Sequence, residues 1–127
     1  MKSQSTIDKT KLAKSPEDWS ALLSSGADWF VRSNEDLQQL LASEHNPLRS
    51  VDKATVEEFV KSLLFKSGGL AHGKYAPLAD KLTYNQFMEV WAHFGMSPKY
   101  FADQQDYYCE AAGSCSYWSG HICTSSC

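Results

Sequence analysis

Four stretches of the chain place apolar residues at i, i+3 and i+4, the spacing of one helical face, and each opens on a capping residue. Ser15-Pro16-Glu17-Asp18 opens the first: the hydroxyl serves free N–H groups, proline suits the first turn, and the acids face the positive end of the helix dipole. Trp19, Leu22 and Leu23 then share a face, and Gly26 stops the run. Ser33-Asn34-Glu35-Asp36 leads into Leu37, Leu40 and Leu41, which end before Asn46-Pro47. Thr55 with Glu58 reads as a capping box for a third helix, running through Phe59, Val60, Leu63 and Leu64 to a stop at Ser67-Gly68-Gly69. Thr83 with Gln86 repeats the device ahead of Phe87, Val90, Trp91 and Phe94, closed by Gly95, and Ser97-Pro98 is a weaker start. Alternating β-branched runs are missing, and residues 68–82 form the one long irregular stretch. The pattern therefore predicts an all-α fold, a small helical domain of about four helices with a flexible Cys-rich C-terminal tail.

The apolar stripes have a plain use. Trp19, Trp29, Phe30, Phe59, Phe65, Phe87, Trp91 and Phe94 lie on helical faces and are expected to build the core. His45, His72 and His93 stand without a second histidine, cysteine or carboxylate at ligand spacing, so they are expected as solvated or capping groups. The helix–loop–helix look of residues 55–95 is not a calcium site, because its loop offers Asp80 as its one acid. Dinucleotide, phosphate-loop, HExxH and GxSxG patterns are all missing, so no enzyme is expected and no cofactor is implied.

Composition bounds the rest. A chain of 127 residues is one small domain by length, and 43% apolar residues with a net charge of −3 favour neither wholesale disorder nor a nucleic-acid partner. The start of the chain has lysines but no long apolar run, so the expected place of synthesis and residence is the cytoplasm, where thiols stay reduced. Residues 1–14, polar and Lys-rich, are expected as a mobile arm, residues 15–103 as the helical domain and residues 104–127 as the tail.

That tail concentrates the chemistry. All four cysteines, Cys109, Cys115, Cys123 and Cys127, fall in the last nineteen residues, and six Ser or Thr lie between Ser114 and the end. No Lys or Arg follows Lys99. The spacings are not the C-x2-C knuckles of a zinc site, so no metal is expected even with His121 nearby. Disulfides remain open, with three connectivities for four cysteines. A third use is covalent: a thiolate adds to the alkene left when Ser or Thr loses water, closing a thioether ring.

A helical N-terminal region ahead of "SCSYWSGHICTSSC" resembles the precursors of ribosomally made, post-translationally modified peptides, and the tail is most similar to a lanthipeptide core. The resemblance implies a leader recognised by a peptide-modifying enzyme, a leader protease, an exporter and a bioactive, often antimicrobial product that is secreted after maturation from a cytoplasmic precursor. Ala111-Ala112-Gly113 resembles a leader cleavage site, which puts the cut between Gly113 and Ser114 and the core at 114–127. The implied modified residues are Cys115, Cys123, Cys127, Ser114, Ser116, Ser119, Thr124, Ser125 and Ser126, with Cys109 left as a leader thiol or a disulfide partner. Tyr117, Trp118 and Ile122 would give the product an apolar side for a membrane or cell-envelope target. The alternative expectation is a small helical binding module with a metal-binding or disulfide-forming cysteine tail.

Overall fold

A computed structural model of the chain describes residues 9–44, 46–111, 114–124 and 126–127. Its helices are α1 (Pro16–Ser24), α2 (Asn34–Leu41), α3 (Lys53–Lys61), the single turn α4 (Ala76–Ala79), α5 (Tyr84–His93) and α6 (Pro98–Gln104). Four strands, β1 (Leu64–Lys66), β2 (Gly69–Lys74), β3 (Gln105–Ala111) and β4 (Ser114–Cys123), form one antiparallel sheet in the order β1-β2-β4-β3. The all-α expectation is thus corrected to a mixed α and β fold, and the expected flexible tail is a hairpin whose second strand lies inside the sheet. No helix among the described residues is long and apolar enough to cross a membrane.

The helix starts follow the sequence signals except one. Ser15, Ser33, Thr83 and Ser97 each accept a backbone N–H three residues on, and Thr83 with Gln86 completes the capping box. The third helix begins earlier than expected, because Asp52 rather than Thr55 is its cap, taking both the N–H and the hydroxyl of Thr55. It also ends earlier: Ser62 caps it, and Leu64 to Lys66 turn into β1.

The glycines of β2 account for the irregular look of its sequence. A Cβ on Gly69 would lie 2.6 Å from Leu23 Cδ2 and 3.0 Å from Trp19 Cζ2, and one on Gly73 would lie 2.6 Å from Leu63 Cδ2. The strand gives up β propensity so that α1 and the segment after α3 can press against its backbone. Leu70 and Ala71 beside those glycines are fully buried.

The core joins helices to sheet. Trp19 stacks on Tyr100 at 5.6 Å, Phe59 meets Trp91 edge-on at 5.8 Å, and Leu70, Leu78, Met96 and Ile122 close the space between them. Of the aromatics expected inside, Trp19, Phe30, Phe59, Trp91 and Phe94 are buried, Phe65 and Phe87 pack partly buried against them, and Trp29 is half-buried. His93, expected as a solvated or capping group, is buried too, and its carbonyl receives Val31 N–H at 2.8 Å. Leu12 and Ala13, from the stretch expected to be mobile, are buried where Ala13 bridges to Met96.

The end of the chain is tied in from three sides. Thr124 N–H donates to Ala71 O at 2.9 Å, Thr124 Oγ1 donates to Leu70 O at 2.6 Å, and Trp19 Nε1 donates to Ser126 Oγ at 2.8 Å. Replacing Thr124→Val keeps the shape but strands the Leu70 carbonyl and the Ser126 N–H that Oγ1 accepts, so it is expected to cost about 1–3 kcal/mol in urea unfolding. A chain ending at residue 113 lacks β4 and is expected to lose cooperative unfolding altogether, read by far-ultraviolet circular dichroism against urea.

Candidate functional site

The chemistry gathers on the β3–β4 hairpin. Aromatic and β-branched residues suit a pleated surface, and Tyr107, Tyr108, Tyr117, Trp118 and Ile122 supply them here. Tyr107 stands opposite Tyr117, Tyr108 opposite Ser116 and Cys109 opposite Cys115. Farther along, Gln105 pairs with Ile122, so β4 bulges between Tyr117 and Ile122. Asp106 and Gly120 hold that bulge with left-handed φ values of 69° and 86°. Asp106 Oδ1 accepts both the Tyr75 hydroxyl at 2.5 Å and the Gly120 N–H at 3.1 Å. Burial, and then the Asp106 carboxylate beside it, push the Tyr75 phenol up to about 12.

Two disulfides cross the hairpin, and no cysteine of the chain is free. Cys109 bonds Cys127 and, nested inside that loop, Cys115 bonds Cys123, with Cα separations of 5.7 and 6.0 Å. The structure thereby selects one of the three connectivities that the sequence left open. Cys109 and Cys115 face one another across the strands yet are not joined to each other; each reaches instead to a buried sulfur near the end of the chain. Closing loops with separations of 18 and 8 residues removes unfolded-state entropy, about 3 kcal/mol for a loop of some fifteen residues.

The hydroxyls singled out from the sequence are divided in their surroundings. Ser114 and Ser119 are exposed, and Ser116 donates to the Glu110 carboxylate across the strands. Thr124 and Ser126 are buried and hydrogen-bonded as described above. Gly113, Ser125 and His45 lie outside the described residues. Cys109, expected as a leader thiol or a disulfide partner, is bonded to Cys127.

Tyr117 and Trp118, expected as part of an apolar side, stand in a row with Tyr107, Tyr108, His121 and His72 that the sequence does not display. Tyr117 and Trp118 are 72% and 54% exposed, which is unusual for rings of this size. Tyr107 meets Tyr117 edge-on at 6.2 Å, and Tyr108 meets Trp118 edge-on at 4.9 Å. Trp118 lies 4.6 Å from His121, and His121 stacks on His72 at 5.6 Å with planes 5° apart. The pairing of β2 with β4 brings those histidines together from 49 positions apart, so no spacing rule would have found them. His72 Nε2 is buried without a hydrogen-bond partner among the described residues.

The chain matches no protein-family model, no curated protein and no solved structure.

Burial, and then the nearby His121, hold the His72 imidazole below its ordinary 6.5. Below pH 6.5 the unfolded chain protonates this histidine before the folded one does. Stability contributed by neutral His72 is therefore complete above pH 6.5 and is lost as the pH falls through the lower folded value. The urea midpoint is expected to drop between pH 7 and pH 5, and His72→Phe is expected to flatten that slope. An equal slope in both proteins would assign the acid sensitivity elsewhere.

Proposed function

We propose that this protein is a non-enzymatic interaction module that binds an extended, basic peptide segment along the outer edge of β3. One observation carries the reading: β3 ends the sheet without a further strand among the described residues, and exposed aromatic rings stand on it, Tyr107, and on the neighbouring β4, Tyr117 and Trp118. An open edge offers unpaired N–H and C=O groups to a strand from another chain, and pockets between alternate side chains set its sequence. The rings suit the rest of the task, since Tyr and Trp supply large contact area with little conformational freedom to lose.

Charge selects the partner. Asp106 and Glu110 lie on β3, Asp103 beside it is paired with Lys99 at 2.8 Å, and no Lys or Arg occurs from residue 100 onward. An Arg of the incoming strand meets carboxylates and ring faces together, each worth a fraction of a kcal/mol to about 2 kcal/mol depending on solvent exclusion. The two bridges hold the hairpin in shape before the partner arrives, which lowers the ordering cost of binding.

A synthetic peptide alternating Val and Arg, titrated into nitrogen-15-labelled protein, is expected to shift the amides of residues 105–111. A Tyr117→Ala, Trp118→Ala double variant is expected to weaken that binding about tenfold, and added salt to weaken it further. Shifts scattered over the helices, or none at millimolar peptide, would overturn the reading.

A second reading has its own support. The cut expected between Gly113 and Ser114 has exposed described neighbours, Ala111 and Ser114, at the ends of β3 and β4. A leader protease can reach such a hairpin end, and Ser114 and Ser119 stand open to a peptide-modifying enzyme. On this reading the chain is a lanthipeptide-like precursor, modified before its tail folds in, then cut and exported as an antimicrobial peptide acting at a cell envelope. Intact mass from the native host separates the two. The precursor loses one water per dehydrated Ser or Thr and keeps cysteines that resist alkylation after reduction. The module keeps its full mass less the bridge hydrogens, and all four cysteines alkylate once reduced.

A further inference from the structure

We propose that the reduced protein binds one zinc ion on the sulfurs of Cys109, Cys115, Cys123 and Cys127. The sequence argued against zinc on spacing alone, because no two cysteines form a C-x2-C knuckle. Strand pairing replaces the knuckle. The Sγ atoms of Cys115, Cys123 and Cys127 all lie within 4.8 Å of one another although they belong to two different bridges, and the Cys109 sulfur is bonded to that of Cys127. Three of the four sulfurs are thus one cluster, and the fourth, that of Cys109, is tied to it through its bond to Cys127.

A tetrahedral ion with zinc–sulfur bonds of about 2.3 Å sets its ligand sulfurs about 3.8 Å apart. From the present arrangement the bonded sulfurs must part and the unbonded ones close in. Rotation about χ1 supplies movements of that size without shifting the backbone. Contacts other than the bridges also hold these backbone positions: Cys109 and Cys115 face each other in the β3–β4 pairing, Cys123 faces His72 in the β2–β4 pairing, and Cys127 N–H donates to Thr124 O at 3.1 Å. Cys123 and Cys127 are buried while Cys115 is exposed, so an ion can enter from the Cys115 side and end up shielded.

The surroundings favour a metal over free thiolates. Ala111 O and Ser114 O lie 3.2 and 3.6 Å from Cys127 Sγ, and Thr124 O lies 3.7 Å from Cys115 Sγ. Bridged sulfurs carry no proton, so these are contacts now; in the reduced chain the Cys127 S–H can donate to one of its two carbonyls and the Cys115 S–H to Thr124 O. Carbonyl oxygens oppose ionisation of the thiols unless a cation sits among them. The step balances as follows. A phosphine or dithiol reductant gives four electrons and, with four protons from solvent, turns two bridges into four thiols. Zinc then displaces those four protons and takes up four thiolates. The proposal rests on the sulfurs alone and not on the peptide-binding reading, although Cys109 lies on β3, and its test reads metal binding rather than peptide binding.

The test uses the full chain, reduced with a phosphine under nitrogen and titrated with cobalt and then zinc chloride. One cobalt per chain is expected, with the sulfur-to-cobalt charge-transfer band and strong visible bands of a tetrahedral thiolate site, displaced by one zinc. Proton release approaching four per zinc is expected in weak buffer near pH 7. Cys115→Ser and Cys123→Ser, made singly, are expected to weaken zinc binding at least tenfold and to lower the charge-transfer intensity, while Ser119→Ala leaves both unchanged. If the reduced chain loses its circular dichroism, one zinc is expected to restore it. Reduced chain that neither competes with a metal-indicator dye for zinc nor regains structure with it overturns the proposal, as does a cobalt spectrum with fewer than three sulfurs or equal binding by the serine variants.

Discussion

Strand β4 lies between β2 and β3, and the fold depends on that position. Its end is held by a buried hydroxyl: Thr124 Oγ1 donates to Leu70 O and accepts the Ser126 N–H, which sets Ser126 where its own hydroxyl meets Trp19 Nε1. Trp19 in turn stacks on Tyr100 and fills the space under Gly69. Helix α1 and the middle of the sheet therefore share one hydrogen-bonded chain of buried groups, which the Trp19–Tyr100 stack extends to helix α6. Each donor in it leaves a costly orphan if its partner goes, more than the bond itself contributes.

This arrangement explains the uneven legibility of the sequence. The starts at Ser15, Ser33, Thr83 and Ser97 are local devices, in which a hydroxyl and an N–H lie three residues apart, and they were read directly from residue types. The sheet is a long-range object. β2 pairs with β4 across about fifty residues, and its glycines answer to Trp19, Leu23 and Leu63, whose approach no local window displays. β3 and β4 carry strand-forming aromatics, yet most face solvent, so the alternation of buried and exposed positions is faint. Counting cysteines gives four residues and three connectivities, and the pairing is out of its reach because it follows from strand register.

The hairpin is short of apolar burial, and covalent and polar devices make up the difference. Beyond Tyr117 the strand carries three residues more than its neighbour, a distortion that would unzip a two-stranded ribbon unless its polar groups were satisfied. The Asp106 carboxylate does this by taking the Tyr75 hydroxyl and the Gly120 N–H at one oxygen. The bridges act at the other end, where Ser114, Cys115 and Glu110 are exposed and packing offers little. Between them the aromatic row is left outward with its backbone fixed, a condition for presenting large apolar side chains without their collapsing inward.

A removable peptide and a central strand make opposite demands on the same residues. A core released by cutting at 113 must be weakly held, whereas residues 122 to 124 are fully buried and Ser126 closes over Trp19. Dehydrating Thr124 would delete the oxygen that serves Leu70 and Ser126 together. Modification and folding of this segment therefore compete: an enzyme that reaches Thr124 must do so before β4 pairs, and a chain that folds first hides the residue. The exposed Ser114 and Ser119 escape that competition, so a tail processed after folding would be altered at those positions and left intact at Thr124.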